Sequence, residues 1–207
     1  MTQDINISER FSIYPCGWWD EEEQKAKPQQ RQQQTQTIAW AYEYITSTCA
    51  QKATEDLRQM MLDGASDQAL RDFKVLNFEY ATFSGVFRYR RANFIVTRTP
   101  FLTIDIDHLS STDEARELQQ RFLLDRELET VLCFLSPKAL GLKWIVRLPR
   151  WTDGLKFKQQ FDAVRNYVGF EYGHDPDKSG SDICRSCFLP YDPHCYVNEK
   201  YLINNTI

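Results

Sequence analysis

The 207-residue chain has no run of about 18 apolar residues, so no membrane span is expected. Its first residues, MTQDINISERFSIYP, lack the basic start and apolar stretch of a secretory leader. Without such a leader, the six cysteines read as reduced thiols of a cytoplasmic protein rather than as a disulfide framework. An excess of positive charge is missing as well: 25 Lys and Arg against 29 Asp and Glu leave a net charge of -4. That excludes a domain that grips nucleic acid by overall charge, and any such contact must come from a local basic strip. Histidine is scarce, and His108, His174 and His194 each stand alone, which sets aside a His-x-His relaxase centre. Apolar residues are not lacking: 42% of the chain is hydrophobic and 14% aromatic, enough for one substantial core.

Phe11 to Tyr14 predicts a short strand. Residues 20–37, DEEEQKAKPQQRQQQTQT, can bury little and read as a linker or mobile loop. Residues 1–37 then form an N-terminal extension to a domain at 38–207. Ile38, Ala41, Tyr42, Ile45, Cys49, Ala53, Leu57 and Met60 recur at helical spacing and predict one long helix, with a shorter one from Asp67 to Phe73. VLNFEYATFSGVF, ANFIVTR and PFLTIDID are rich in β-branched and aromatic residues and predict strands, with a turn at Ser84-Gly85. A helix with Ala115, Leu118 and Phe122 on one face follows, capped by Ser111 or Thr112. Strands ETVLCFL and LKWIVRL come next, then a helix carrying Phe157, Phe161, Val164 and Val168. The polar loop HDPDKSGSD leads to a short strand, ICRSCFL. This interleaving argues for an α+β fold: a mixed or antiparallel sheet with helices packed on it, preceded by a helical segment.

The chemistry concentrates in FLTIDIDHL. In a strand Leu102, Ile104 and Ile106 share one face, and Thr103, Asp105 and Asp107 share the other. Two carboxylates so placed repel unless a cation sits between them, and Mg²⁺ or Mn²⁺ takes such hard oxygen ligands while bridging to phosphate. A half-exposed strand face also alternates in this way, so the pair alone leaves both readings open. Beyond Ser136, Pro137 and Gly141, Lys143 and Arg147 share a face that suits a triphosphate or a nucleic-acid backbone, or else is a solvated strand face. Asp175, Asp177, Asp182 and Asp192 cluster near Arg185; one could complete a metal site, and several are turn formers. Cys184-x2-Cys187, with Cys195 behind, would face opposite ways in a strand, so no zinc is expected. Arg88, Arg90 and Arg91, with Tyr89, form a basic-aromatic strip for single-stranded nucleic acid.

Four segments in this order, TFSGVFRYRR, FLTIDIDHL, FLSPKALGLKWIVRL and DKSGSDICRSCFLPYDPHCYVN, resemble the archaeo-eukaryotic primase superfamily. They are most similar to the primase-like domain beside virulence-associated-protein-E-type helicase domains in mobile-element replication proteins. The resemblance implies a sheet with an RNA-recognition-motif-like core and a two-metal nucleotidyl transfer. It implies Asp105 and Asp107 as metal ligands, with Asp177, or failing that Asp182, as the further acid. It places Ser136, Lys143 and Arg185 on the nucleotide, and Arg88, Arg90, Arg91 and Arg147 on nucleic acid. The implied partners are a single-stranded DNA template, nucleoside triphosphates and a helicase. The family's second motif is Ser-x-His; here Ser136 fits and no His follows, with Lys143 as the nearest cation. A non-catalytic nucleic-acid-binding module and a metal-dependent nuclease are the rival expectations.

Overall fold

The computed structural model describes residues 9–203. Four short strands open it: β1 (Phe11–Tyr14), β2 (Trp18–Asp20), β3 (Lys25–Lys27) and β4 (Gln34–Gln36). Three helices follow, α1 (Ile38–Thr46), α2 (Gln51–Leu62) and α3 (Asp67–Asn77). Then come β5 (Tyr80–Thr82), β6 (Gly85–Phe87), β7 (Ile95–Arg98), β8 (Phe101–Ile106), α4 (Thr112–Leu123), β9 (Thr130–Leu135) and β10 (Leu142–Arg147). The last elements are α5 (Phe157–Tyr172), β11 (Cys187–Phe188), β12 (Tyr196–Val197) and α6 (Lys200–Ile203). The fold is α+β, with antiparallel pairing throughout the two four-stranded sheets.

Sheet I has the order β12-β9-β10-β8, and sheet II the order β11-β5-β1-β4. The period of two expected for β8 and β10 holds. Leu102, Ile104, Ile106, Leu142, Trp144 and Val146 face one core with Ala115, Leu118 and Phe122 of α4 and Phe161, Val164 and Val168 of α5. Each such side chain contributes roughly 1.5–3 kcal/mol when fully buried. Trp144 lies flat on Phe122 at 4.0 Å between ring centres, and its indole N–H donates to Thr130 Oγ1 at 2.8 Å. Phe101 and Ile145, on the other face, meet Phe11 and Ile13 of β1, Ala81 of β5, and Ile38, Ala41 and Ile45 of α1. Sheet I therefore has a core on each side, and Asp105 and Lys143 share the face turned toward sheet II.

Three expectations need correction here. The long helix breaks at Ser47, whose backbone is extended. Thr46 Oγ1 donates to Tyr42 O and Ser47 Oγ to Tyr44 O, so the hydroxyls compete for the carbonyls that a continuing helix would use. The Gln-rich stretch is not a free linker. Backbone pairing does not depend on side-chain polarity, and β4 pairs with apolar β1 through Phe11↔Gln36 and Ile13↔Gln34. The charged run before it turns between β2 and β3, where Asp20 Oδ1 accepts from the Glu22 and Glu23 amides. Last, ICRSCFL is strand only at Cys187–Phe188; Ile183 and Cys184 lie in a turn. Two other expectations hold: Ser111 caps α4 by accepting from the Glu114 amide at 3.1 Å, and Phe11–Tyr14 is a strand. No helix among the described residues is long and apolar enough to cross a membrane.

Candidate functional site

Asp105 and Asp107 fall at the end of β8, which is an edge strand of sheet I rather than a central one. Its free side is covered where the Asp177 amide donates to the Asp105 carbonyl at 2.9 Å. Covering an edge in this way satisfies its backbone and blocks stray pairing. Asp177 is fixed in turn by the 3-10 turn Lys178–Ser181, whose Gly180 leaves no room for a side chain: an added Cβ would stand 2.4 Å from the Phe161 ring.

On the other side of β8, Lys143 of β10 sits directly opposite Asp105. Its ammonium ion-pairs with Asp105 Oδ1 and lies 3.9 Å from Asp107 Oδ1. Asp105 Oδ1 is buried, and its charge is answered at close range by the Lys143 ammonium. Asp177 accepts from Ser179 N and Ser179 Oγ, and from Arg185 at 3.2 Å. The result is three carboxylates, Asp105, Asp107 and Asp177, that can each offer one oxygen within 4.8 Å of the others.

Burial pushes the Asp105 carboxyl above its ordinary range, against the pull of Lys143. Burial alone would depress the Lys143 ammonium, but Asp105 and Asp107 outweigh it and hold it above its usual value. For Asp177 burial would raise the carboxyl, yet the Ser179 hydrogen bonds and the charges of Arg185 and Lys143 keep it low. Hard carboxylate oxygens at this spacing fit a divalent ion such as Mg²⁺ or Mn²⁺.

Asp105 and Asp107 open into a cavity of about 180 Å³, and Asp107 also into an adjoining one of about 480 Å³. Both are lined by Lys74, Asp107, Ser136, Lys138 and Arg185, and the larger also by Arg71 of α3. Asp105 and Asp107 therefore share this cleft with a cluster of cations. The turn that carries Ser136 and Lys138 is closed by Ser136 N donating to Gly141 O at 2.8 Å, and Gly141 is pressed against the backbone of Ile106 and Asp107.

Of the residues expected at the site, Asp105, Asp107, Asp177, Lys143, Ser136 and Arg185 come together. Asp182 does not join the acids, because its Oδ1 accepts from the Cys184 amide and thiol at 3.1 Å. Asp175 is held by Arg165. Arg147 points away at the far end of β10, bonded to Glu9 and Tyr201. Arg90 lies over the Tyr80 ring at 5.7 Å, while Arg88 and Arg91 are exposed. With Cys184 in a turn, strand parity no longer separates it from Cys187. Burial and Asp182 raise the Cys184 thiol to about 11, and burial raises Cys187 to about 12.

Sequence reading missed Arg71 and Lys74, which lie on a helix face of mixed charge, and it placed Lys138 in a basic strip for nucleic acid rather than on the nucleotide. Lys138 occupies the third place of Ser136-Pro137-Lys138, where the resemblance called for His; the signal was a cation in the histidine's position. Burial, followed by the neighbouring charges of Lys138 and Lys143, pushes Lys74 down. Residues 75–197 match the family model described as BT4734-like, N-terminal domain. No curated protein and no solved structure matches the chain.

Proposed function

We propose, for a chain that belongs to the BT4734-like, N-terminal domain family, a metal-dependent nucleotidyl transfer of the primase type. The observation that carries this reading is the three-carboxylate group beside a cleft lined by Arg71, Lys74, Lys138 and Arg185. Asp105, Asp107 and Asp177 would hold Mg²⁺ or Mn²⁺. When bound, such ions polarise phosphate oxygens and align the reactants. Lys138 and Arg185, with Arg71 and Lys74 behind them, would neutralise the triphosphate of an incoming nucleotide. Lys143 answers the charge of the buried Asp105 carboxylate and fixes its position. In the reaction the 3′-hydroxyl oxygen forms a bond to the α-phosphorus. The bond to the β-phosphate oxygen breaks, pyrophosphate leaves, and the hydroxyl proton passes to solvent.

The finer reading is a primase-like replication domain of a mobile element, acting in the cytoplasm on a single-stranded DNA template with a helicase partner. An RNA-recognition-motif-like core is supported by the order β8-α4-β9-β10-α5-β12 of sheet I and its helices, with β11 of sheet II inserted before β12, and with β10 paired between β8 and β9. The fourth strand flanks β9 here, whereas that core would place it beside the first strand. One observation favours a second reading: Lys143 is lodged between Asp105 and Asp107, which suits a domain that binds nucleotide without turning it over.

The test is incubation with labelled nucleotides, single-stranded template and Mn²⁺, with calorimetric binding of a triphosphate in parallel. Extension by the wild type, lost in Asp105→Ala and Asp107→Ala, supports transfer. Binding weakened in Lys138→Ala and Arg185→Ala without extension supports the second reading. Strand cleavage dependent on the same acids, or no metal-dependent nucleotide binding, defeats both.

A further inference from the structure

A second cavity, of about 400 Å³, lies apart from the acids and is lined by Trp18, Gln29, Gln30, Arg31, Tyr89, Arg91 and Phe94. Large apolar side chains seldom stay in water without reason, yet Trp18 is 49% exposed, Tyr89 44% and Phe94 37%. These three come from two parts of the chain: Trp18 from β2, and Tyr89 and Phe94 from the loop between β6 and β7. They are held by backbone bonds rather than by burial. Tyr89 bridges Arg31, Arg90 N donates to Gln30 O at 2.9 Å, and Arg88 N donates to Phe94 O at 3.1 Å. The Tyr89 and Phe94 rings meet edge to face at 5.3 Å, leaving their outer faces open. Arg31, Arg88 and Arg91 are exposed and have no ion-pair partner among the described residues. Flat apolar surfaces framed by unpaired guanidinium groups complement a ligand that is flat, apolar on its faces and anionic along its edge.

We infer that this cavity binds the bases of a single nucleic-acid strand, with stacking on Trp18 and Tyr89 and with Arg31 and Arg91 on the phosphates. The inference rests on the nucleotidyl-transfer reading and deepens it by naming where the template is held. The contacts linking the cavity to the acids support that placement. Gln29 O accepts from the Tyr80 hydroxyl, the Tyr80 ring meets Phe188 at 6.0 Å, and Phe188 lines the smaller acidic cavity. A net charge of -4 explains why such a site needs aromatic faces as well as arginines.

The experiment is fluorescence anisotropy with labelled single-stranded oligonucleotides, DNA and RNA, in the presence of a chelator. Trp18→Ala and Tyr89→Ala are each expected to weaken binding about tenfold, the size of one lost base–aromatic stack. Trp18→Phe should bind nearly as the wild type does, and rising salt should weaken all of them. No binding by the wild type overturns the proposal. So does binding unchanged in the Trp18→Ala, Tyr89→Ala double variant, or capture of a proline-rich peptide with no oligonucleotide binding. Because the chelator removes divalent ions, the two ideas fail separately. If the acid-site reading is wrong, metal-dependent triphosphate binding disappears while strand binding persists. If this inference is wrong, triphosphate binding stands and strand binding ignores the aromatic residues.

Discussion

Asp105 and Lys143 are 13% and 11% exposed at the side chain, so each is the other's main substitute for water. A buried ion pair gives little net stability, but removing one partner strands the other's charge. Lys143→Met is therefore expected to destabilise the fold by about 3–5 kcal/mol, read from urea unfolding. Adding Asp105→Asn to the same chain should return most of that loss, because the double variant buries no ion. If the two single effects simply add, the pair is not coupled and Lys143 does not hold Asp105. The wider site obeys the same accounting of charge: Asp177 is answered by Arg185, and Asp107, the most exposed of the three acids, is left to the cleft. At this scale the sequence was informative where parity and charge coincide, as at Asp105, Asp107 and Lys143. It was silent on Arg71 and Lys74, since a helix face of mixed charge looks like any solvated surface until the sheet it borders is known.

Around the acids the elements meet at Gly141 and Gly180, and Gly141 is the sharper case. A Cβ there would stand 2.3 Å from the Ile106 carbonyl oxygen, a backbone atom that cannot swing aside. Gly141→Ala should force the start of β10 away from the end of β8, cost about 1–3 kcal/mol and disturb the Lys143↔Asp105 register. Thermal unfolding checks the first effect; a melting temperature equal to the wild type's would show that the turn relaxes freely. β8, β9, β10, α4 and α5 were legible because each buries an apolar stripe at its own period. The polar β4 was not, because its place is set by the backbone of β1 and its side chains contribute no pattern. The break at Ser47 was hidden for a related reason. The apolar stripe runs on through it, and only the hydroxyl bonds of Thr46 and Ser47 interrupt the backbone. Asp182 was a reasonable candidate by spacing, but the turn at Cys184 claims its carboxylate.

Across the described residues, the segment 11–36 is part of the sheet architecture. β1 sits inside sheet II between β5 and β4, and Phe11 and Ile13 are fully buried. A chain starting at Ile38 should therefore show no cooperative unfolding transition by circular dichroism, and a sharp transition would mean the later residues fold alone. The same breadth of packing governs alkaline stability. Burial raises the phenols of Tyr14, Tyr44, Tyr80, Tyr167, Tyr172 and Tyr201, which are spread over sheet II and helices α1, α5 and α6. For Tyr167 and Tyr172 a hydrogen bond donated to Asp125 adds to the effect, and for Tyr201 one donated to Glu129. The sign follows from linkage. A phenol whose folded value lies above its unfolded value of about 10 binds its proton more tightly in the native state. Its contribution is complete below pH of about 10 and is lost as pH rises toward the folded value. Stability should thus stay level through mildly alkaline pH and then fall, with phenolate absorbance from these residues appearing together with loss of helical circular dichroism. Tyr172→Phe removes one of the linked protons and should make the fall less steep. Phenolate that appears in full while the fold persists would show that these hydroxyls are open to water, contrary to their burial.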